Sequence, residues 1–468
     1  MTVLGSLLLA TAALKVAVSP SALQYIASLI PPILLQKLKS APLPDLNSVV
    51  GTPIGDIDLQ VSGCYWDNVQ LGPLSVQPHA SAADNELEVD VDVTLLVLTC
   101  NWHYRKVHWP HISDGGSADI GFGQTSIASV VNLLDSNGHA GVTAQTCDLT
   151  IGQFGLQLHG GASWLYNLFI GAFQGKIENA IGNAIVNAIC SGIDQQLNIA
   201  VQSLPTELPF GPELGVDYAL MATPLVDPVA GIVLPCLGEF YDQANPAMLD
   251  PCAGQPIPNT VVNNRMIQFV VGSCALDSIG FALQNAGLLS VAVSNADLPP
   301  GVAFSLNTDY FEFIIPQLYA KYPHTNMSAV IATPQQPHLS LQGNVIVIKS
   351  LVYINVSVDA PQPIPAFTVA TALSVNASIA LNGTTLIPTL GWIAGSSSLV
   401  SSNFGNYWTP VVLPLLTDTL RYVALPVANE ALAAGFAIPS NSHMTLKNPT
   451  VQITNNLLVV ASDFTLAL

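Results

Sequence analysis

Basic side chains are scarce in this 468-residue chain: eleven Lys and Arg stand against thirty Asp and Glu, a formal net charge of −19. A field of that sign repels phosphate backbones, and no stripe of cations overcomes it, which excludes nucleic-acid binding. The same repulsion opposes adsorption of the whole surface to anionic lipid and leaves that role only to a local patch. Charge of either sign is thin, at 9% of residues, against about 25% in an average soluble protein. Long apolar runs are missing as well: none reaches the roughly 18 uninterrupted residues of a membrane-spanning helix. Catalytic signatures are equally absent. The sequence holds no Gly-x-Ser-x-Gly elbow, no His-Glu-x-x-His and no Gly-x-x-x-x-Gly-Lys phosphate cradle. Gly121-Phe122-Gly123 lacks the third glycine and the βαβ setting of a dinucleotide loop. The expectation is a protein that is not an enzyme and carries no cofactor and no metal.

What the chain has in excess is hydrophobicity, half of its residues being apolar. Such a chain is strongly ordered, and its surplus of apolar side chains points to a greasy cavity or a lipid-facing surface beyond an ordinary core. The length allows about two to four domains. Met1 to Ala13 is apolar and ends in the small-residue run Ala10-Thr11-Ala12-Ala13, the pattern of a secretory leader, with residues 1–17 set apart as the signal segment. Four Asn-x-Ser/Thr sequons at Asn326, Asn355, Asn376 and Asn382 agree with export, and period-2 alternation puts three of them on an outer strand face. Seven cysteines in an exported chain allow three disulfides. The candidate pairs are Cys147 with Cys190, Cys236 with Cys252, and Cys64 with Cys100 as an exposed-face cross-link, which leaves Cys274 over.

The chain reads as two copies of one plan. Ser19 to Lys39 has apolar residues at Ile26, Ile30, Leu34 and Leu38, a helical spacing interrupted by Pro31-Pro32. Alternating strands follow, such as Leu87 to Leu95 with Glu88, Asp90 and Asp92 between them. A second helix, Ala162 to Cys190, carries Leu165, Phe169, Phe173, Ile177, Ile181, Ile185 and Ile189 every four residues. That stripe winds slowly around the helix, as suits a helix lying obliquely on a twisted sheet. Prolines and glycines then accumulate, with residues 242–258 as the linker between an N-terminal domain, 18–241, and a C-terminal one, 259–468. The second half repeats helix, strands, helix, strands, from Ala275 to Leu468.

Several segments carry a resemblance. Gly215-Val216-Asp217-Tyr218, Gly238-Glu239-Phe240-Tyr241, Asn264-Arg265-Met266, Pro337-His338-Leu339-Ser340, and Leu425-Pro426-Val427-Ala428-Asn429-Glu430 through Gly435-Phe436 occur in this order, after an early Val18-Ser19-Pro20. Together they resemble the family of bactericidal/permeability-increasing protein, lipopolysaccharide-binding protein and the plasma lipid-transfer proteins, over Val18 to Leu468. The resemblance implies an α+β boomerang of two domains, each a twisted antiparallel β-barrel wrapped around long helices, joined by a central sheet. It implies an apolar pocket for phospholipid acyl chains in each barrel, and it matches Cys147 and Cys190 to the family disulfide.

The apolar excess supplies walls for such pockets, and Ile26, Ile30, Leu165, Phe169 and Phe173 are the candidate lining. Each of these is as readily an ordinary core residue. The densest polar stretch is Trp102 to His111, with two Trp, Tyr104, Arg105, Lys106 and three His in ten residues. The resemblance sets it near a hairpin tip of the first barrel. Trp and Tyr favour membrane interfaces and Arg and Lys meet lipid phosphates, so Trp102, Tyr104, Arg105, Lys106 and Trp109 are the candidate headgroup contacts. A solvated loop is the bland alternative, and the spacing of His103, His108 and His111 fits no tight metal-ligand pair. The broad basic surface of the bactericidal members is missing. The expected function is therefore extracellular lipid binding and carriage by a monomer that meets membranes or lipid particles peripherally, with recognition of bacterial lipopolysaccharide second.

Overall fold

The computed structural model describes residues 12–52, 55–79, 85–160, 166–192, 198, 206–250, 257–258, 264–298, 304–405, 413–414, 416–417, 420–438 and 444–467. These form two compact units. The first is built on Val18–Pro205 and Ala222–Leu234, the second on Met1–Ala17, Thr206–Met221 and Pro235–Ala467. The division is therefore not a single cut near residue 242, because short segments are exchanged on either side of it. Strand β1 (Leu14–Val18) takes up the end of the stretch read as a leader. Ala13, Leu14, Val16 and Ala17 are buried, so the folded chain begins before Val18.

In the first unit, helices α1 (Pro20–Leu29) and α2 (Pro31–Ser40) replace the one helix expected over Ser19 to Lys39. The Ser19 hydroxyl caps α1 by accepting from the Ala22 N–H. Pro31 and Pro32 have no N–H to donate back into α1, so that helix ends and the prolines open α2, where a missing donor costs nothing. Strands β2 (Leu46–Val50), β3 (Ile57–Pro78), β4 (Glu86–Lys106), β5 (Ser113–Ser136) and β6 (His139–Thr150) then pair in sequence order, all antiparallel. Asn137 and Gly138, both with positive φ, make the two-residue turn between β5 and β6. Strand β7 (Gln153–His159) pairs with the start of β5, and helix α3 (Tyr166–Gly192) follows.

The inward face of β4 changes parity along its length. Val91 and Val93 are buried, then Leu96, Leu98, Cys100, Trp102 and Tyr104. The switch lies at Thr94–Leu95, opposite Gln124 of β5, a non-glycine residue with φ of 49°. The same switch on β5 runs from Ile120 and Phe122 to Thr125 and Ile127.

The second unit holds β8 (Glu207–Phe210) and β9 (Leu214–Asp217), while the hairpin of β10 (Leu225–Asp227) and most of β11 (Gly231–Cys236) belongs to the first. Strand β12 (Glu239–Asp242) joins β9 and β8 in a three-stranded sheet. After β13 (Ile267–Val271) come α4 (Ser273–Asn285), β14 (Ser290–Val293) and α5 (Pro316–Lys321). A long sheet is then laid down by β15 (Met327–Ala332), β16 (His338–Gln342), β17 (Val345–Val358), β18 (Ile364–Asn382) and β19 (Thr385–Ser402). Helix α6 (Leu425–Leu432), β20 (Phe436–Ala437), β21 (Met444–Thr454) and β22 (Leu457–Leu466) complete the chain. The long sheet runs β14-β15-β17-β18-β19-β20, with β16 beside β17. Its inner face meets Phe304, Phe311, Leu318 and Leu416 in an apolar core. The fold is α+β and strand-dominated, as expected. Among the described residues no helix is long and apolar enough to cross a membrane.

Candidate functional site

The interior of the first unit is the site the sequence pointed to. Helix α2 contributes Leu34 and Leu38 and helix α3 contributes Ile177, Ile181 and Ile185, every fourth residue of the expected stripe. They pack on Ile57, Leu59, Leu98, Ile120 and Phe122 from the inner faces of β3, β4 and β5. The cluster is aliphatic and aromatic, with the Trp102 indole N–H and the Tyr104 hydroxyl as its polar groups, so the interior offers mainly dispersion contact to a hydrocarbon chain. Of the candidate lining residues, Ile30 lies half-buried against this cluster and Ile26 is half-buried one turn earlier. Leu165 falls outside the described residues. Phe169 and Phe173 lie on α3, but their side chains are outside what is described.

The structure divides the Trp102–His111 stretch in two. Trp102 and Tyr104 are wall residues, 2% and 5% exposed, and not headgroup contacts. The Trp102 indole N–H donates to the backbone carbonyls of Ser117 (3.0 Å) and His159 (3.3 Å), and its ring stacks with that of Tyr104. Burial and the nearby Asp114 raise the Tyr104 hydroxyl above its usual range. The reason is strand geometry: residues 102 to 106 continue β4, where alternate side chains face opposite sides, so Trp102 and Tyr104 turn in while His103 and Arg105 turn out. Only Val107 to Ile112 form the connection between β4 and β5. It is pinned by the Val107 N–H to the Asp56 carbonyl and the Lys106 N–H to the Ile112 carbonyl, each 2.8 Å. Trp109 at its apex is 84% exposed. Val107 and Ile112 are exposed beside it, as is Val49 on β2, in the same end row as Asp58 and Arg105. Those three aliphatic residues were not anticipated, because nothing in a short loop or a five-residue edge strand sets an exposed Val apart from a buried one. Lys106 is half-buried and Arg105 exposed. Among the described residues no cluster of three or more His, Cys, Asp or Glu could hold a metal ion.

The disulfides differ in part from expectation. Cys147 and Cys190 are joined, tying β6 to the last turns of α3. Cys64 and Cys100 are also joined, 4.1 Å apart at Cα, but on the inner face, because the parity switch in β4 turns Cys100 inward. Cys236 does not pair with Cys252: it keeps a thiol, pushed up to about 12 by burial and by the charge of Asp217. Cys274, the residue left over by the sequence, is in a disulfide, and Cys252 lies outside the described residues. Of the sequon asparagines, Asn326, Asn355 and Asn382 are exposed and Asn376 is half-buried.

Residues 22–204 match the model described as LBP / BPI / CETP family, N-terminal domain, and residues 211–466 match its C-terminal domain model. The chain belongs to the LBP / BPI / CETP family. Within that family it is similar to a bactericidal permeability-increasing protein of Sebastes schlegelii, 24% identical across 96% of this chain and 94% of that one. It is equally similar, at 24%, to a lipopolysaccharide-binding protein of Bos taurus, across 96% of this chain and 93% of that one. A crystal structure of lipopolysaccharide binding protein superposes with a TM-score of 0.59 at 21% identity, over 97% of this chain and 99% of that one. That likeness shows the two-domain family fold, and the apolar helix-on-sheet interior described above lies in the N-terminal family domain.

Proposed function

We propose that this protein is an extracellular, non-catalytic lipid binder that holds phospholipid acyl chains between helices and sheet and carries or transfers them as a monomer. The observation that carries the reading is the interior of the first unit, where α2 and α3 pack on a broad apolar cluster from the sheet. Each acyl CH2 drawn from water into such a space gains about 0.8 kcal/mol, so two chains can be held tightly with few polar contacts. Membership of a family whose relatives are named for binding lipopolysaccharide supports a lipid as the ligand. Native mass spectrometry of the secreted protein, followed by organic extraction, tests it. The expected result is phospholipid bound to a single chain. A lipid-free mass with no uptake from vesicles would remove the carrier reading, and released fatty acid would replace it with a lipase.

A second reading, recognition of bacterial lipopolysaccharide, is favoured by one feature: Trp109, Val107 and Ile112 stand exposed beside Arg105 at one end of the unit. An apolar tip with a flanking cation suits an interface of acyl chains and phosphates. Binding of purified lipopolysaccharide that is lost in Trp109→Ala and Arg105→Ala, with phospholipid uptake unchanged, would put recognition ahead of carriage.

A further inference from the structure

The four sequons share a structural property that no one of them reveals alone. Asn355 lies on β17 and Asn376 and Asn382 on β18, while Asn326 immediately precedes β15, all in the same antiparallel sheet. The register sets their facing. Asn355 stands opposite Thr368, Val347 opposite Asn376, and Asn376 opposite Gly391. Val356, Val358, Phe367 and Val369 point the other way, into the core. Met327, next to Asn326, is likewise buried, so Asn326 faces out. All four acceptors therefore project from one face, the solvent side of β15-β17-β18-β19.

That face is unusual in what else it carries. Its rows pair Tyr353, Ala370 and Ser398, then Leu351, Ala372 and Ser396, then Lys349, Ser374 and Ala394. Lys349 is the one charged side chain in these rows and in the two that hold Asn355 and Asn376. The solvated face of an antiparallel sheet is normally polar, and Leu351, Ala372 and Ala394 with little charge around them leave apolar surface open to packing against another protein. A groove of about 450 Å3 crosses this face between the Asn355 and Asn376 rows, bordered by Gln335, His338, Lys349, Ser374 and Ser396. Beside it, a Cβ at Gly391 would come within 2.4 Å of the Asn376 amide oxygen, so glycine leaves the room that side chain occupies.

We infer that this face is sheathed by the protein's own N-linked glycans, and that sugar, not charge, keeps it in water. The donor class is an oligosaccharide on a polyprenyl diphosphate. The asparagine Nδ2 attacks the anomeric carbon, the new C–N bond forms as the sugar–phosphate C–O bond breaks, the diphosphate leaves with the electron pair, and the amide loses one proton. Transfer precedes folding, so the folded chain must leave every acceptor on an outward position, as it does for all four. The first sugars on Asn376 lie over the groove one row away, whose border offers Ser374, Ser396 and Gln335 to their hydroxyls, and a bulky solvating chain blocks a second protein from the sheet.

The test uses the full chain secreted from a eukaryotic host. Peptide-N-glycosidase converts each occupied asparagine to aspartate, and peptide mapping reads the sites. Conversion at Asn326, Asn355, Asn376 and Asn382 is expected. Conversion at none, or only at Asn382 beside the β18–β19 turn, overturns the sheath. The folded glycoprotein, made with high-mannose chains and cut back by an endoglycosidase to a single sugar on each asparagine so that no new carboxylate appears, is expected to self-associate in sedimentation velocity where the untrimmed protein stays monomeric. Trimmed protein that remains monomeric over the same concentrations overturns the protective role.

Discussion

Glu239 stands in a cross-strand row of three carboxylates, Glu207, Asp217 and Glu239, on β8, β9 and β12. It is 8% exposed, and burial together with the negative charges of Asp250 and Asp217 pushes its carboxyl up to about 7. A carboxyl raised in the folded state holds a proton that the unfolded chain has already released, so folding gains from it at low pH and loses it as pH climbs through that value. The fold is therefore expected to weaken between about pH 4.5 and 7, and Glu239→Gln to restore on the order of 2 kcal/mol at pH 8 with little effect at pH 5. Urea unfolding of both proteins at the two pH values reads this, and equal gaps at both would mean a solvated carboxylate. A second contrast separates the two tryptophans of the Trp102–His111 stretch. Trp102→Ala removes a buried ring with two hydrogen bonds and is expected to cost about 3–5 kcal/mol, whereas Trp109→Ala should leave the melting temperature unchanged and weaken vesicle binding. Composition could not tell these residues apart. Their roles follow from strand parity, which was legible once Trp102 was counted as strand instead of loop.

At the scale of elements, periodicity carried most of the information. From Phe169 to Ile189 the four-residue stripe lies on a helix, and its described isoleucines 177, 181 and 185 face the sheet. The proline pair at 31 and 32 split one expected helix in two, an outcome visible in the sequence because proline at a helix start is as favourable as proline within one is costly. What the sequence concealed is the parity switch at Thr94–Leu95, since both sides of it read as regular alternation and only the partner strand shows the irregular residue, Gln124. That one irregularity moved Cys100 from the outside to the core. The helix stripe supports a direct test. Ile181→Ala opens a cavity between α3 and the sheet, and a loss of about 2–4 kcal/mol is expected in denaturant unfolding. If acyl chains occupy that space, bound phospholipid should recover part of the loss, because a ligand that binds only the folded state stabilises it by mass action. Recovery absent at saturating lipid would assign α3 to a solid core.

For the molecule as a whole, the decisive quantity is its charge of −19, set against a tip whose outward cations are few. Two forces of opposite sign act when such a protein meets an anionic bilayer. The long-range field of the whole chain repels it, while Arg105 and Lys106 attract over the last few ångströms, where Trp109, Val107 and Ile112 can enter the interface. The Debye length is about 8 Å at physiological salt and about 30 Å at 0.01 M, so added salt screens the distant repulsion before it screens a contact. Binding to anionic vesicles is therefore expected to strengthen as salt is raised from about 10 to 150 mM, the reverse of what a lysine-rich lipid binder does, and binding to zwitterionic vesicles to change little. Vesicle flotation across that range decides the matter. A salt dependence that falls throughout would mean that the tip cations dominate despite the net charge, and would favour recognition of anionic bacterial lipid over carriage of neutral phospholipid.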